Sequence, residues 1–316
     1  MAKISVVIPV FNAGKTIIDC IESVLRQSFE DYDIIVVNDG SSDSTLRLLE
    51  SFSRNIKIIT IENSGPAVAR NTGIKASNSE YIAFLDADDT WYSEKLEKQY
   101  NLIKQKNVEL IYCDCKRIFP DGSTGLRSET HKMVRGWIIP NLIEKNIIAT
   151  SSALVSQKAL NKIGIFSESK KILHAEDYHL WVRIADKFKV DYVDEPLLNY
   201  NVSSGGFNSL QFEKSLKASE YVFNKIITQG FQRPIDIPQK EWNQLISKAK
   251  QLRNIKAGLN IFSLSPLKAR HYFFKAIGFK KNGLKALIFL IATFLPKQAI
   301  SWIKYVINVV NLNIKS

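Results

Sequence analysis

Ile4-Ser5-Val6-Val7-Ile8-Pro9-Val10 is a short run of mostly β-branched residues. Such a run predicts a strand that is buried on both faces of a sheet. Similar strands are predicted over 34–37, 56–61 and 81–85, with helices over 14–27, from 42 and from 66 between them. This β-α-β alternation predicts an α/β fold, with a mostly parallel sheet flanked by helices.

Acidic residues follow two of these strands. The carboxyl ends of parallel strands meet at one edge of the sheet, where open α/β sheets bind ligands. Asp39 ends the second strand, although a loop residue that caps the next helix explains it equally well. Asp86, Asp88 and Asp89 follow the fourth strand. Like charges this close repel, so they favour a hard divalent cation over a solvated acidic turn.

Three further features lie beside or beyond these strands. Gly65 precedes the third helix and lets the backbone approach a ligand closely. Arg70, about one turn further on, is within reach of a phosphate, but a surface arginine is the commoner case. Glu176 and Asp177 open a predicted helix over 176–188. Acidic residues are also ordinary in a first helical turn, where they complement the helix dipole.

Composition and missing motifs exclude several classes of protein. The chain has 316 residues, of which 45% are apolar and 23% charged, so it is not an intrinsically disordered protein. Its three cysteines are too few for a disulfide framework, and no secretory signal pattern is present. We therefore expect a cytoplasmic setting. No G-x-G-x-x-G follows the first strand and no P-loop is present, which disfavours dinucleotide dehydrogenases and P-loop enzymes.

The net charge of +12 is concentrated at the end of the chain. Residues 1–239 hold 29 basic and 30 acidic residues, whereas residues 240–316 hold 14 basic residues and one acidic residue, Glu241. Apolar runs over 286–295 and 299–310 lie among these lysines, and both are shorter than the ~20 residues that span a bilayer. This pattern favours an interfacial position on anionic lipid. A helical domain packed on the rest and a proline-kinked span stay open, and nucleic acid is not expected because no binding module is present.

Five segments together resemble the family 2 glycosyltransferases, the large inverting group with the GT-A fold. The resemblance covers roughly residues 3–205, and the segments occur in the family's order over 6–12, 37–45, 65–73, 81–89 and 176–183. It implies a GT-A catalytic domain over 1–205, with a nucleotide-sugar half (1–115) and an acceptor half (116–205). A helical, basic, membrane-associating region would follow over 206–316.

The resemblance also implies roles for individual residues. Asp177 would be the general base, with Glu176 beside it binding the acceptor, and Asp88 would coordinate Mn2+ or Mg2+. Asp39 would bind uracil, and Asp86 would face the ribose and the donor sugar. The residues implied in nucleotide-sugar binding are Pro9, Phe11, Asn12, Asp39, Gly65, Arg70, Asp86 and Ala87.

The implied reaction is transfer of a hexose, with UDP-glucose or UDP-galactose favoured as the donor. The acceptor would be a sugar on undecaprenyl diphosphate, in O-antigen or capsule synthesis, and the product would be β-linked. The enzyme would then act in the cytoplasm or peripherally at the cytoplasmic face of the bacterial inner membrane. Transfer of GlcNAc, GalNAc or rhamnose is an alternative, and so is a non-catalytic nucleotide-sugar-binding protein.

Overall fold

The computed structural model describes residues 1–202, 209–234, 236–262, 265–277 and 283–294. The strands are β1 (Ile4–Val10), β2 (Tyr32–Asp39), β3 (Lys57–Ile61), β4 (Tyr81–Phe84), β5 (Thr90–Trp91), β6 (Leu110–Ile118), β7 (Thr124–Leu126), β8 (Leu154–Ser156) and β9 (Val190–Asn201). The helices up to residue 229 are α1 (Ile17–Leu25), α2 (Thr45–Glu50), α3 (Pro66–Ala76), α4 (Lys95–Lys106), α5 (Ile139–Glu144), α6 (Gln157–Ile163), α7 (Glu176–Lys187) and α8 (Ser209–Gln229).

The strands form one sheet in the order β3-β2-β1-β4-β8-β6-β9-β5, with β7 paired to β6. β1 to β4 are parallel, as predicted. β6 and β9 are also parallel, whereas β8 is antiparallel to both β4 and β6, and β5 is antiparallel to β9. The sheet therefore contains both kinds of pairing, and most of its paired residues are in parallel pairs, as predicted. The sequence predicts two strands over 190–193 and 197–202, but β9 is continuous. The interruption becomes a register shift against β6 near Pro196, as in a β-bulge.

The parallel half of the sheet is buried on both faces, as its β-branched runs predict. Val6 and Ile8 of β1 pack in one apolar cluster with Ile17 of α1. On the other face, Val37 packs against Ala69 of α3. Each fully buried aliphatic side chain of this kind contributes about 1.5–3 kcal/mol. This packing fixes the ends of α1 and α3 at the edge where the parallel strands finish.

Contacts divide the described residues into two compact units. The first unit comprises residues 1–142 and 146–232, and the second comprises residues 143–145 and the described residues from 233 onward. The sequence places the division at residue 205 instead. The two differ because α8 packs against α7 and against the turn over 170–172, which belong to the first unit.

The second unit is helical, as predicted. Its helices α9 (Gln239–Phe262), α10 (Pro266–Ile277) and α11 (Gly283–Ala292) pack in sequence, with α10 against both neighbours. A Cβ on Gly258 of α9 would fall 2.5 Å from the ring of Phe273, so α9 and α10 approach closely. In the described part of the chain, no helix combines the length and the apolar character required to cross a bilayer. The predicted break at 204–206 and the apolar run over 299–310 lie outside the described residues.

Candidate active site

The ends of β1 to β4 open into one cavity of about 850 Å³. This volume is in the range typical of cavities that hold a small ligand. Every residue that the sequence analysis assigns to the nucleotide sugar or to the metal lines it: Pro9, Phe11, Asn12, Asp39, Gly65, Arg70, Asp86, Ala87 and Asp88. The parallel strands bring these residues together because each residue follows or ends a strand that finishes at the same edge.

Asn12 connects the loop after β1 to the loop after β2, at one side of the cavity. It adopts a left-handed backbone conformation with φ of 50°, which asparagine tolerates better than most residues. Its Oδ1 accepts hydrogen bonds from the backbone N–H of Ser42 at 2.8 Å and of Asp43 at 3.3 Å. In return, the N–H of Asn12 donates to Oγ of Ser41 at 3.0 Å. The loops after β1 and β2 are therefore bonded to each other.

Phe11 lies beside this junction and is 50% exposed, although it is a large apolar side chain. The ring borders the cavity, as does Lys15. An exposed aromatic face next to a cation suits a planar ring such as a nucleobase, because base–aromatic stacking contributes about 1–3 kcal/mol.

Asp39 is buried at the end of β2, and both of its carboxylate oxygens accept backbone hydrogen bonds. The N–H of Ser64 donates to Oδ1 at 2.7 Å, and the N–H of Gly65 donates to Oδ2 at 2.9 Å. Gly65 has φ of 90°, a conformation that favours glycine. Asp39 thus joins its loop to the N-terminus of α3, and its remaining lone pairs can accept from a ligand in the cavity.

The three carboxylates of the acidic turn after β4 make different contacts. Asp86 accepts from Nη2 of Arg70 at 2.6 Å, and Asp88 lines the cavity beside it. Desolvation by the cavity wall and the charge of Asp86 raise the pKa of Asp88 above its ordinary value. Asp89 is buried and accepts from Oγ of Ser151 at 2.6 Å and from the N–H of Asn201 at 2.9 Å. Asp89 therefore anchors the turn, which leaves Asp86 and Asp88 to face the cavity.

Arg70 links this turn to the beginning of α7. Its guanidinium is buried between Asp86 and Glu176, with Nη1 lying 3.4 Å from Oε1 of Glu176. The alternative of a surface arginine is therefore excluded, and the two carboxylates already occupy two of the guanidinium nitrogens. Nε of Arg70 and Oε2 of Glu176 are buried and make no hydrogen bond with the residues that the structure describes. Buried polar atoms of this kind are normally satisfied, so a bound molecule is a natural partner for them.

Asp177 adjoins Glu176 but does not line the cavity. Nδ2 of Asn146 donates to its Oδ2 at 2.9 Å, and the N–H of Tyr178 donates to its Oδ1 at 2.6 Å. Burial, and then the charge of Glu176, raise the pKa of Asp177 to about 6, against the opposing effects of Arg70 and of these hydrogen bonds. At neutral pH the group is thus ionised and close to its pKa, the condition that suits a general base.

Several residues at the site are missed by sequence reasoning. Asn146 and Ser151 flank a short turn before β8, and no pattern in the sequence marks them. β8 is antiparallel to β4, so it begins where β4 ends, and this brings its preceding turn to the site. Leu173 and His174 line the cavity from the loop before α7. The φ of His174 is 71°. The sequence signal that could have identified Leu173 and His174 is their position just before Glu176 and Asp177.

The donor atoms fit a hard divalent cation that draws most of its ligands from a substrate. The described residues contain no cluster of three or more histidine, cysteine or acidic side chains placed to hold a metal. Asp88 supplies carboxylate oxygens to the cavity. Mg2+ is commonly bound by one or two carboxylates together with substrate phosphates and water. Asp88 is accordingly the residue that would hold such an ion, with a diphosphate as the other ligand.

The arrangement can bind a charged, planar ligand and remove a proton near it. The cavity offers an aromatic ring, buried hydrogen-bond acceptors and a carboxylate for a cation. Arg70 connects it to a second pair of carboxylates, of which Asp177 has a raised pKa. These are the parts that a group transfer between a phosphate ester and a hydroxyl requires.

Two relatives illustrate the sequence similarity. An uncharacterized glycosyltransferase of Rickettsia conorii is 32% identical over 257 residues, which are 79% of this chain and 41% of the relative. The Escherichia coli UDP-Glc:alpha-D-GlcNAc-diphosphoundecaprenol beta-1,3-glucosyltransferase WfgD is 29% identical over 215 residues, which are 67% of this chain and 81% of WfgD. The matched part is only 36–41% of the length of three Rickettsia relatives.

Solved structures show the same fold. Staphylococcus aureus TarS 1–349 in complex with UDP-GlcNAc superposes with a TM-score of 0.67 at 20% identity, covering 92% of this chain and 89% of TarS 1–349. The Pyrobaculum calidifontis mannosyltransferase PcManGT, in complex with GDP-Man and Mn2+, gives a TM-score of 0.61 at 16% identity, covering 95% and 82%. The GT-A fold implied by the sequence is confirmed.

The family itself follows from the match to a family model. The model described as glycosyl transferase family 2 matches residues 5–164, about half of the chain. This range includes β1 to β4 and every residue placed in the cavity except Leu173 and His174. The chain belongs to glycosyl transferase family 2.

Proposed function

We propose that this chain is an inverting hexosyltransferase of bacterial surface polysaccharide synthesis. It transfers a hexose, with UDP-glucose or UDP-galactose favoured, to a sugar carried on undecaprenyl diphosphate, and forms a β-linkage. The observation that carries the proposal is the Arg70 bridge, which joins the cavity at the strand ends to the pair Glu176 and Asp177. The similarity to WfgD, whose name specifies UDP-Glc and a diphosphoundecaprenol-linked GlcNAc, supports the choice of donor and acceptor.

The nucleotide occupies the part of the cavity around Phe11. The uracil lies against the Phe11 ring and hydrogen-bonds to Asp39, while Pro9, Asn12 and Gly65 line the uracil and ribose pocket. Asp86 and Ala87 face the ribose and the donor sugar, with Arg70 holding Asp86 in place. Because Asp39 and Asn12 are fixed by backbone hydrogen bonds, the uracil pocket is formed before the donor binds.

Asp88 is the residue that would hold Mn2+ or Mg2+ in this reaction. When bound, such an ion neutralises the negative charge that develops on the departing phosphate. The acidic turn needs Asp89 for its geometry, since Asp89 bonds to Ser151 and Asn201.

Asp177 accepts the proton of the acceptor hydroxyl. The acceptor oxygen forms a bond to the anomeric carbon as the bond from that carbon to the diphosphate oxygen breaks, and UDP leaves. Attack from the face opposite the diphosphate inverts the anomeric centre, so an α-linked donor gives a β-product. Glu176 binds the acceptor through Oε2, the atom that accepts no hydrogen bond from the described part of the chain. The remaining contribution is the positioning of donor and acceptor.

The enzyme works at the cytoplasmic face of the bacterial inner membrane, as a peripheral protein. Its acceptor is held in the bilayer by its lipid, and the excess positive charge of residues 240–316 suits anionic lipid. Nucleic acid is not among its partners. Residues 206–316 are the membrane-associating part of this proposal.

A screen of nucleotide sugars tests the proposal. The protein is incubated with UDP-glucose, UDP-galactose, UDP-GlcNAc, UDP-GalNAc or dTDP-rhamnose, and with GlcNAc or GalNAc on a lipid diphosphate, and products are identified by mass spectrometry. We expect a hexose adduct, which Asp177→Asn removes and the surface variant Asp121→Asn retains. Transfer of another sugar alone would replace the proposed donor. If binding of UDP occurs without transfer or hydrolysis of any donor, the protein is a nucleotide-sugar-binding protein instead.

A further inference from the structure

The second unit exposes large apolar side chains on two neighbouring helices. On α10, Leu267 and Phe274 are 69% and 71% exposed, and they lie seven residues apart, on the same side of the helix. The opposite side carries Ala269, Phe273 and Ala276, all of which are buried. α10 therefore has two apolar sides, and the described residues cover only one of them.

α11 repeats this arrangement. Ala286 is buried, whereas Ile288, Ile291 and Phe294 are between 52% and 66% exposed and Leu287 is 41% exposed. Leu287 and Ile291 have the i, i+4 spacing of one helical face, and Phe294 lies in the turn that follows α11. We define the apolar face as the six exposed side chains of α10, α11 and this turn: Leu267, Phe274, Leu287, Ile288, Ile291 and Phe294.

The two helices are packed together, so these side chains belong to one folded unit. The rings of Phe273 and Phe289 stack with their centroids 5.5 Å apart. The guanidinium of Arg270 on α10 lies 3.7 Å from the centroid of the Phe294 ring, and its Nε donates to Oγ1 of Thr293 at 3.0 Å. Arg270 thus fixes the end of α11 beside α10.

Positive charge accompanies the apolar face. Lys268 and Lys275 are exposed on α10, each directly after one of its exposed apolar residues. Across residues 240–316 the sequence has 14 basic residues and only Glu241 as an acid. A second copy of this region would carry the same positive charge, so the two copies would repel each other. Residues 295–316 hold three of these 14 basic residues and no acidic residue, so they too are positively charged.

We propose that the apolar face docks on the surface of an anionic phospholipid bilayer. The apolar side chains enter the boundary between headgroups and acyl chains, and the lysines bind the phosphates. This inference rests on the proposed function in one respect, because docking on the membrane would bring the enzyme to a lipid-linked acceptor. Binding itself needs neither donor nor acceptor, so it can be measured separately.

Vesicle flotation of the full chain tests this docking. The vesicles contain phosphatidylglycerol with phosphatidylcholine, or phosphatidylcholine alone. We expect flotation only with phosphatidylglycerol, and release at high salt because the charge contribution is screened. The variant Ile288→Ser with Ile291→Ser removes two exposed apolar side chains. The matched control is Leu25→Ser, which removes a comparably exposed leucine from α1 of the first unit.

We expect the double variant to lose vesicle affinity by at least about tenfold, since one buried aliphatic side chain contributes about 1.5–3 kcal/mol. Leu25→Ser should float like the unmodified chain. If the double variant floats normally and unfolds at a lower temperature, the face is covered by the chain itself, and the proposal is wrong. If it floats normally and the unmodified chain sediments as a dimer that the variant lacks, a second copy covers the face, which also overturns the proposal.

The outcome is separable from the proposed function. The double variant should keep UDP binding, and its transfer to a water-soluble acceptor with a short alkyl chain should be unchanged. Loss of flotation with this activity retained supports the docking proposal. If the unmodified chain floats with the vesicles but transfers no sugar, the docking proposal is supported and the proposed function is wrong.

Discussion

Arg70 lies between the carboxylates of Asp86 and Glu176, 2.6 Å from the first and 3.4 Å from the second. One of these acids lines the donor cavity, and the other adjoins the proposed base, Asp177. The bridge connects residues that are more than a hundred positions apart in the sequence. Arg70 is therefore a positioning residue, and it also contributes a positive charge near Asp177.

The pH dependence of transfer should report these charges. The base acts when ionised, so kcat/KM should rise with pH through the Asp177 pKa of about 6 and then level off. Glu176→Gln removes a like charge and should move the rise to lower pH. Arg70→Gln removes an opposite charge and should move it to higher pH, whereas Arg70→Lys should leave it near the original position. Shifts of both glutamine variants in one direction would contradict the assignment.

Asp177→Asn should stabilise the protein while it removes turnover. The raised pKa means that the ionised carboxylate is disfavoured in the folded state, a cost that is present above pH about 6 and absent below the unfolded pKa of about 4. We expect the free energy of unfolding of the variant to exceed that of the unmodified protein by roughly 3 kcal/mol at pH 8, since each pKa unit corresponds to about 1.4 kcal/mol. The difference should vanish towards pH 4. Urea unfolding at both pH values measures it, and an equal difference at both would refute the cause.

Asn146→Ala should impair transfer without weakening donor binding. The amide of Asn146 orients the Asp177 carboxylate and stabilises its ionised form. A hydrogen bond to a charged group contributes about 1.5–3 kcal/mol, so kcat should fall about tenfold or more. The rise of kcat/KM should also move to higher pH, which a purely structural loss would not cause. Asn161→Ala, on the exposed side of α6, is the control and should behave as the unmodified protein.

Asp88→Ala should abolish the metal dependence of UDP binding. In the unmodified protein, Mn2+ should tighten UDP binding measured by calorimetry, because Asp88 would hold the ion and the ion's charge would favour the anionic diphosphate. The variant should bind UDP equally with and without Mn2+, at about the metal-free affinity of the unmodified protein. If Mn2+ still tightens UDP binding to the variant, other residues hold the ion.

The sequence predicts the donor side of this site more completely than the acceptor side. Asp39, Asp86 and Asp88 were identifiable because each lies at the end of a strand or directly after one, and parallel strands finish together. Asn146 and Ser151 were not, because their position depends on β8, an antiparallel strand of three residues with no distinctive pattern. The partners of Arg70 could not be predicted from the sequence either, because its contact with Glu176 depends on the tertiary fold.

The sequence predicts that residues 206–316 are mostly helical, but it does not show how these helices group. The basic composition of residues 240–316 indicated a separate region, and the described second unit begins nearby, at residue 233. α8 was assigned to that region because its sequence is helical like the rest. Its packing on α7 places it in the first unit, and such packing depends on contacts that composition does not encode.

The junction at Asn12 has a consequence for redesign of the donor pocket. Its side chain is hydrogen-bonded to the backbone of residues 42 and 43, so the loops after β1 and β2 hold each other's shape. If only one of these loops is replaced by the loop of another transferase, the other loop loses the hydrogen bonds that hold its shape. Exchange of nucleotide preference should therefore succeed when both loops are transplanted as a pair, and single-loop chimaeras should fold with a distorted pocket.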